Sequence, residues 1–392
     1  MRAPSRLIPL FIALTFPALV QAEPLKVYIL AGQSNMEGHA HVRTFPHVAM
    51  DPKTKPLSDL MQDKNGKPRT AERTWISYLG ARKAEKSLLE GKLTAGFGAP
   101  VKGPKIGPEF TFGLTLEKRM SNPILLIKTA WGGRNLSTNF RPPSAGPYKL
   151  NEWQVEFART KGKTVEENEA KINAKAGVEY RQMVAHVKDV LSNIKRIYPD
   201  YDPKQGYEIA GFVWFQGWND KVDKHTYAYR DQPGGYDVYS QLLTHFIKDV
   251  RKEFDAPKMP FVIGVMGVGG KIDVANGDQK AARNQRFREA MAAPAKLPEF
   301  AGNVHAVWTE QCWDDKLGAL EDKRTAVKGK LQDIKRNKKL SEVERAAKEK
   351  AVRESSAFTP EEQKLYDAAI SNFGFHSLGS AKIVGRIGVA FA

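Results

Sequence analysis

The sequence predicts an α/β protein, a five-stranded parallel sheet covered on both faces by helices. Three observations carry this. Five short runs of apolar, β-branched or aromatic residues alternate with longer stretches of helical periodicity. The first three runs each stop in a polar, glycine-bearing turn. At 392 residues, 41% hydrophobic and 10% aromatic, the chain has apolar material for a substantial core.

Arg2 and Arg6 precede the apolar run Leu7 to Val20, and Val20-Gln21-Ala22 offers the small or short side chains that a signal peptidase reads. Residues 1–22 are therefore expected to be an export signal cleaved after Ala22. The run is too short, and too broken by Pro9 and Pro17, for a membrane anchor, and no later stretch is apolar enough to span a bilayer. The mature chain is expected to be secreted or periplasmic, one domain over 23–392.

Val27 to Leu30 reads as a buried strand that ends in Gly32-Gln33-Ser34-Asn35. His39 to Pro56 reads as irregular loop and Pro68 to Gly107 as a surface excursion. Gly107-Pro108-Glu109 opens a helix, because Pro and Glu suit a first turn. Pro123 to Lys128 is the second strand and leads into Trp131-Gly132-Gly133-Arg134-Asn135; amphipathic pattern follows from Asn151 to Tyr198. Ile209 to Phe215 is the third strand, followed by Gln216-Gly217-Trp218-Asn219-Asp220. Helix over Tyr236 to Phe254 and strand over Pro260 to Val265 come next, then helix over Gln285 to Ala293 and strand over Val304 to Trp308. Asp315 to Ile370 reads as two charge-rich helices, Ser341 capping the second, and Ser377 to Ala390 as a last helix. The segments at about 40–106, 137–180 and 315–370 read as insertions in this framework.

The formal charge is +17, or +15 without the first 22 residues. This favours polyanionic partners, but no helix-turn-helix, zinc-finger or single-strand-binding signature points to nucleic acid. For an exported chain an acidic polysaccharide or anionic cell surface is the better partner. Cys312 is the single cysteine, which excludes an internal disulfide and any cysteine-based metal site; between Trp308 and Trp313 it reads as a buried thiol. His39, His41 and His47 lack the carboxylate spacing of a metal site, and no metal or cofactor is expected.

Open α/β sheets keep their chemistry outside the carboxyl ends of their strands. Taken alone, Ser34 is either a helix cap or a nucleophile. The polar turns at the ends of the next two strands, and the late Asn372-Phe373-Gly374-Phe375-His376, favour the second. An ester hydrolase needs an activated hydroxyl, a base, a group to orient the base, and donors for the oxyanion. Ser34 and His376 fit the first two roles. The N–H groups of Ser34 and Gly133, with an amide from Gln216 or Asn219, fit the last; glycine at 133 leaves the oxygen free to approach the amide hydrogen.

Gly32-Gln33-Ser34-Asn35-Met36, the Gly132-Gly133 turn, Trp214 to Gly217 and His376 together resemble the four blocks of an SGNH-type hydrolase. The resemblance is strongest to its sialate O-acetylesterase-like branch, which includes carbohydrate acetyl-esterases. It implies a three-layer, flavodoxin-like α/β/α sandwich, no cofactor, and removal of acetyl groups from carbohydrate. By the same pattern Ser34 is nucleophile and His376 base, with Gly133 and either Gln216 or Asn219 completing the oxyanion hole. Gln33, Asn35, Arg134 and Trp218 are then candidates for substrate contact. The family often orients its histidine with an Asp three residues earlier; here that position is Phe373. Either Asp220 takes that role or a main-chain carbonyl near Phe373 does. Trp218 stands where the family often has Glu, as a sugar-stacking face or as core filling. The expected activity is that of an exported serine carbohydrate O-acetylesterase. The rival readings are an esterase for another acyl group and a silent carbohydrate-binding protein on the same fold.

Overall fold

The computed structural model describes residues 23–80, 88–275, 277–355 and 357–392. The expected export signal, 1–22, lies outside the described residues. Among the described residues nine strands occur in order: β1 Leu25–Gly32, β2 Ala40–His41, β3 Thr74–Leu79, β4 Leu88–Lys92, β5 Lys105–Ile106, β6 Ile124–Ala130, β7 Tyr207–Phe215, β8 Phe261–Val265 and β9 Val304–Trp308. Seven form one sheet in the order β4-β3-β6-β1-β7-β8-β9, and β2 pairs with β5 apart from it. All neighbours in the large sheet run parallel except β3 and β4.

The five expected strands are β1, β6, β7, β8 and β9. The expectation of five is corrected to seven, because part of the presumed surface excursion is β3, buried along nearly its whole length. Trp75 to Leu79 sits between charged neighbours and shows no clean local signal. It becomes a strand by pairing with β6 on one side and with the largely exposed β4 on the other.

Side chains alternate across each strand, so β1 feeds two cores. Leu25, Val27, Ile29 and Ala31 face the helices Val178–Ser192, Asp237–Glu253 and Gln279–Ala292. Leu30 faces Pro108–Arg119, Ala381–Phe391 and Lys55–Met61. The result is a three-layer α/β/α sandwich. The stretch 315–370 holds three helices, Asp315–Arg336, Glu342–Ser355 and Pro360–Ala369, where two were expected. Ser341 does cap the second, its Oγ accepting from Glu344 N at 3.2 Å. The last helix starts at Ala381, later than expected, because Gly374–Gly379 is a tight turn with Ser377 and Leu378 at φ +52° and +59°.

Behind the first turn lies a fully buried ion pair. Lys128 Nζ donates to Glu109 Oε2 at 2.8 Å and to the carbonyls of Glu37 and Phe97 at 2.9 and 2.7 Å. It joins β6 to the helix that starts at Pro108 and to the segment following β1. Cys312 is buried, and burial pushes its thiol up. No helix among the described residues is long and apolar enough to cross a membrane.

Candidate active site

β1, β6 and β7 lie side by side at the centre of the sheet, so their three polar turns meet at one rim. Gly32 ends β1 where a Cβ would come within 2.2 Å of the Phe215 carbonyl oxygen; only glycine lets β1 and β7 close here. The chain then enters the short helix Ser34–Glu37, with Ser34 as its first residue. Ser34 is buried, not exposed as a turn residue would be. Its Oγ receives one long hydrogen bond, from Gln33 Nε2 at 3.5 Å. Gly132 stands beside it: a Cβ there would lie 3.9 Å from Ser34 Cβ. Gly133 follows at φ +73° with open space around it.

The Gln33 amide is engaged within the protein. Its Oε1 accepts from Gln216 Nε2, Gly217 N and Asn219 N at 3.1, 3.1 and 3.2 Å, and its Nε2 donates to Asn219 Oδ1 at 3.0 Å. One buried amide thus ties the first turn to the third. Gln216 is equally committed: its Nε2 reaches Gln33 Oε1, Arg134 O at 3.0 Å and Asp220 Oδ2 at 2.6 Å. Its two hydrogens already serve three acceptors, so none is left for an oxyanion. Asn219 differs. Its Oδ1 is held by Gln33, while its Nδ2 donates to no group among the described residues.

The expectation that Asp220 orients His376 is corrected. Asp220 is completely buried, and its two oxygens accept from Leu136 N, Ser137 N, Gln216 Nε2 and Tyr227 OH at 2.6–3.1 Å. Burial raises this carboxyl and the four donors pull it back. The carboxylate knits the second turn to the third and makes no contact with the imidazole. Nor does a main-chain carbonyl hold the ring. His376 Nδ1 lies 2.9 Å from Asn372 Oδ1, four residues earlier, while the Phe373 carbonyl accepts from the His376 backbone N–H.

His376 belongs to the turn Gly374–Gly379, which packs against the helix Ser34–Glu37. Ser371 locks that turn to the chain just after the helix, accepting from His41 N at 3.1 Å and donating to the Gly379 carbonyl at 2.6 Å. The imidazole lies flat on that of His39, ring centroids 3.8 Å apart. His39 Nε2 is in turn 3.7 Å from Glu37 Oε2. Burial first, then His39 and Lys105, lower the His376 pKa to about 3. Ser34 Oγ and His376 make no direct hydrogen bond among the described residues.

Of the other expected contacts, Asn35 is buried, its Oδ1 without a partner among the described residues. Arg134 is bound to the buried Glu179, Nε to Oε1 at 2.6 Å. Trp218 is half-buried, its ring 5.5 Å from Phe375 and under Lys221 Nζ at 4.3 Å. Phe375 and Phe373, 36% and 53% exposed, continue the aromatic row beside His376. Asn372, His39 and Gly132 were noted in the sequence without their places beside His376 and Ser34, and Ser371 was not singled out at all. Only Asn372 left a local trace, a polar side chain one helical turn before the histidine.

Solved structures similar to this chain include a protein from Arabidopsis thaliana, at 17% identity and TM-score 0.38, covering 73% of this chain and 86% of that one. Another is XAC1771, a carbohydrate acetylesterase from Xanthomonas citri, at 15% identity and TM-score 0.37, covering 72% of this chain and 49% of that one. The chain thus spans about half the length of the Xanthomonas protein. A third is NanS, at 12% identity and TM-score 0.39, covering 74% and 78%. No curated protein matches the sequence. The family described as "Carbohydrate esterase, sialic acid-specific acetylesterase" matches residues 24–312, which takes in all three turns and stops short of His376. On that match the chain belongs to this family and is a carbohydrate O-acetylesterase.

Proposed function

We propose that this acetylesterase works through an acetyl-enzyme, with Ser34 as nucleophile and His376 as general base. Ser34 Oγ attacks the acetyl carbonyl carbon and His376 Nε2 takes its proton. The oxyanion receives hydrogen bonds from the N–H groups of Ser34 and Gly133, neither of which has a protein acceptor among the described residues, and from Asn219 Nδ2. His376 then protonates the departing sugar oxygen, and water releases acetate by the reverse sequence. Ser34 and His376 make no direct hydrogen bond among the described residues, so the hydroxyl hydrogen swings to the imidazole as substrate engages while Oγ can keep accepting from Gln33. Catalytic hydrogen bonds commonly tighten at that stage.

The observation that carries this reading is the Gln33 amide. Its Nε2 hydrogen-bonds to both Ser34 Oγ and Asn219 Oδ1, which leaves Asn219 Nδ2 unspent among the described residues. Gln216, the other candidate for the oxyanion hole, has no hydrogen left to give. For substrate, the row Trp218, Phe375 and Phe373 supports an acetylated sugar whose apolar ring face packs on aromatic side chains, either a sialic acid or a plant- or algal-type polysaccharide. We further propose export, with mature chain beginning at Glu23, on the sequence of the first 22 residues.

The test is p-nitrophenyl acetate hydrolysis by wild type, Ser34→Ala and Asn219→Ala. Ser34→Ala is expected to lose essentially all activity and Asn219→Ala about 10²-fold or more in kcat. Equal rates from wild type and Ser34→Ala would discard the assignment. Acetate release from acetylated sialic acids, xylans and pectins identifies the sugar, and N-terminal sequencing of the exported protein identifies the cleavage site.

A further inference from the structure

Among the described residues no carboxylate meets Nδ1 of His376, yet a base that accepts from Ser34 must carry its own hydrogen on Nδ1 and leave Nε2 bare. We propose that Asn372 is the positioning residue that fixes this tautomer, so that the site works as Ser34, His376 and Asn372 with a neutral third member. The inference rests on the assignment of Ser34 and His376 made above and adds to it the group that holds the base.

Which end of the Asn372 amide faces the ring decides the tautomer. Oxygen and nitrogen of an amide are assigned by the hydrogen bonds around them. The atom that lies 2.9 Å from His376 Nδ1 also lies 2.8 Å from the backbone nitrogen of Phe373. A backbone N–H only donates, so that atom is the oxygen. An amide oxygen only accepts, so Nδ1 must bring the hydrogen and Nε2 keeps its lone pair. A free amide could turn its NH2 to the ring and select the opposite tautomer, the failure that cripples a triad when its Asp becomes Asn. Here the Phe373 N–H prevents that flip.

The Asn372 backbone is held as firmly. Its N–H and that of Ser371 both donate to the Leu378 carbonyl, at 3.0 and 2.9 Å, and the Leu378 N–H returns to the Phe373 carbonyl at 3.1 Å. The left-handed backbone at Ser377 and Leu378 makes this closure possible. The charged and titratable groups around the ring are His39 stacked on it, Lys105, and Glu37 beyond His39. The hydrogen-bond partner of Nδ1 among the described residues is the neutral Asn372 amide, so imidazolium gains no anionic partner there.

Two measurements test this on the full-length mature protein. The first is the long-range 1H–15N correlation spectrum of the His376 ring in wild type, read against His376→Gln for assignment. The expected pattern is a protonated Nδ1 and bare Nε2, and a ring protonated on Nε2 overturns the proposal whether or not the protein is an esterase. The second is the pH profile of kcat/KM for wild type, Asn372→Leu and Asn372→Asp, with thermal denaturation to establish that each folds. Asn372→Leu is expected to lose about 10²-fold in kcat with KM little changed. Asn372→Asp, which keeps both acceptor contacts and adds a negative charge, is expected to keep most of kcat. It should also shift the acid limb upward by about one to three pH units. Leu at 372 within about twofold of wild type, or an acid limb that Asp leaves in place, overturns it. Loss of activity in Asn372→Leu that Asp does not restore also overturns it. Equal activity of wild type and Ser34→Ala would strike the catalytic assignment alone, and the ring spectrum would still decide what Asn372 does.

Discussion

His39 and His376 lie ring on ring, their centroids 3.8 Å apart and their planes within 1° of parallel. The two residues are separated by most of the chain, one just beyond the helix at Ser34 and the other in the turn before the last helix. Two imidazoles stacked this closely resist holding a proton each.

Replacing His39 by Phe keeps a flat ring against His376 and removes the second titratable group. Burial remains the first cause of the lowered His376 pKa, so the rise is limited. The acid limb of kcat/KM is expected to move upward by less than about one pH unit. A pH profile in which the limb stays put or moves down argues that the stack has no electrostatic hold on the base.

His376 and His186, whose pKa values burial lowers furthest, make stability depend on pH on the acid side. His376 is lowered to about 3 and His186, buried 3.2 Å from Ser77 Oγ, to about 4, in both cases chiefly by burial. In the unfolded chain both titrate near about 6.5. Between those values the unfolded chain binds more protons, so stability falls as pH drops from about 6.5 toward 4 and is unaffected by these groups above it. Urea midpoints across this range should show it, and His186→Phe should make the slope shallower. A midpoint that holds steady from neutral pH down to about 5 contradicts the account.

Asp220→Asn separates scaffolding from catalysis. An amide supplies one acceptor oxygen where the carboxylate serves four donors, so its NH2 must face another donor in a dry site. We expect a loss of about 3 kcal/mol or more in denaturant unfolding. The His376 ring spectrum should keep its tautomer in whatever fraction folds. Full stability with a changed tautomer would restore Asp220 as the orienting acid.

The pair Lys128 and Glu109 calls for a double-mutant cycle. Lys128→Met leaves a buried carboxylate without its partner and should cost about 3–5 kcal/mol. Adding Glu109→Leu should recover a large part of it, because the unpaired charge is gone. If the double variant is as unstable as the sum of the singles, the ion pair is not what holds this corner together.

What the sequence determined by itself was local. Apolar, β-branched runs that stop in glycine and polar residues mark β1, β6 and β7 and their turns, because strand burial and turn chemistry depend on near neighbours. The order of those turns and the late histidine was enough to resemble an SGNH-type hydrolase, and it was that resemblance which implied an acetylesterase. What tertiary structure decided was how each polar side chain spends its hydrogen bonds. Gln33 and Gln216 read as site residues, but partners about 180 positions away turn their amides inward and leave only the Nδ2 of Asn219 unspent among the described residues. Asp220 looked suited to orient the base until four donors from other turns claimed it. Asn372 took that place because the His376 N–H folds back on the Phe373 carbonyl, which brings the fourth residue, not the third, beneath the ring. Such choices depend on which groups meet across the rim of the sheet, and spacing along the chain does not encode them.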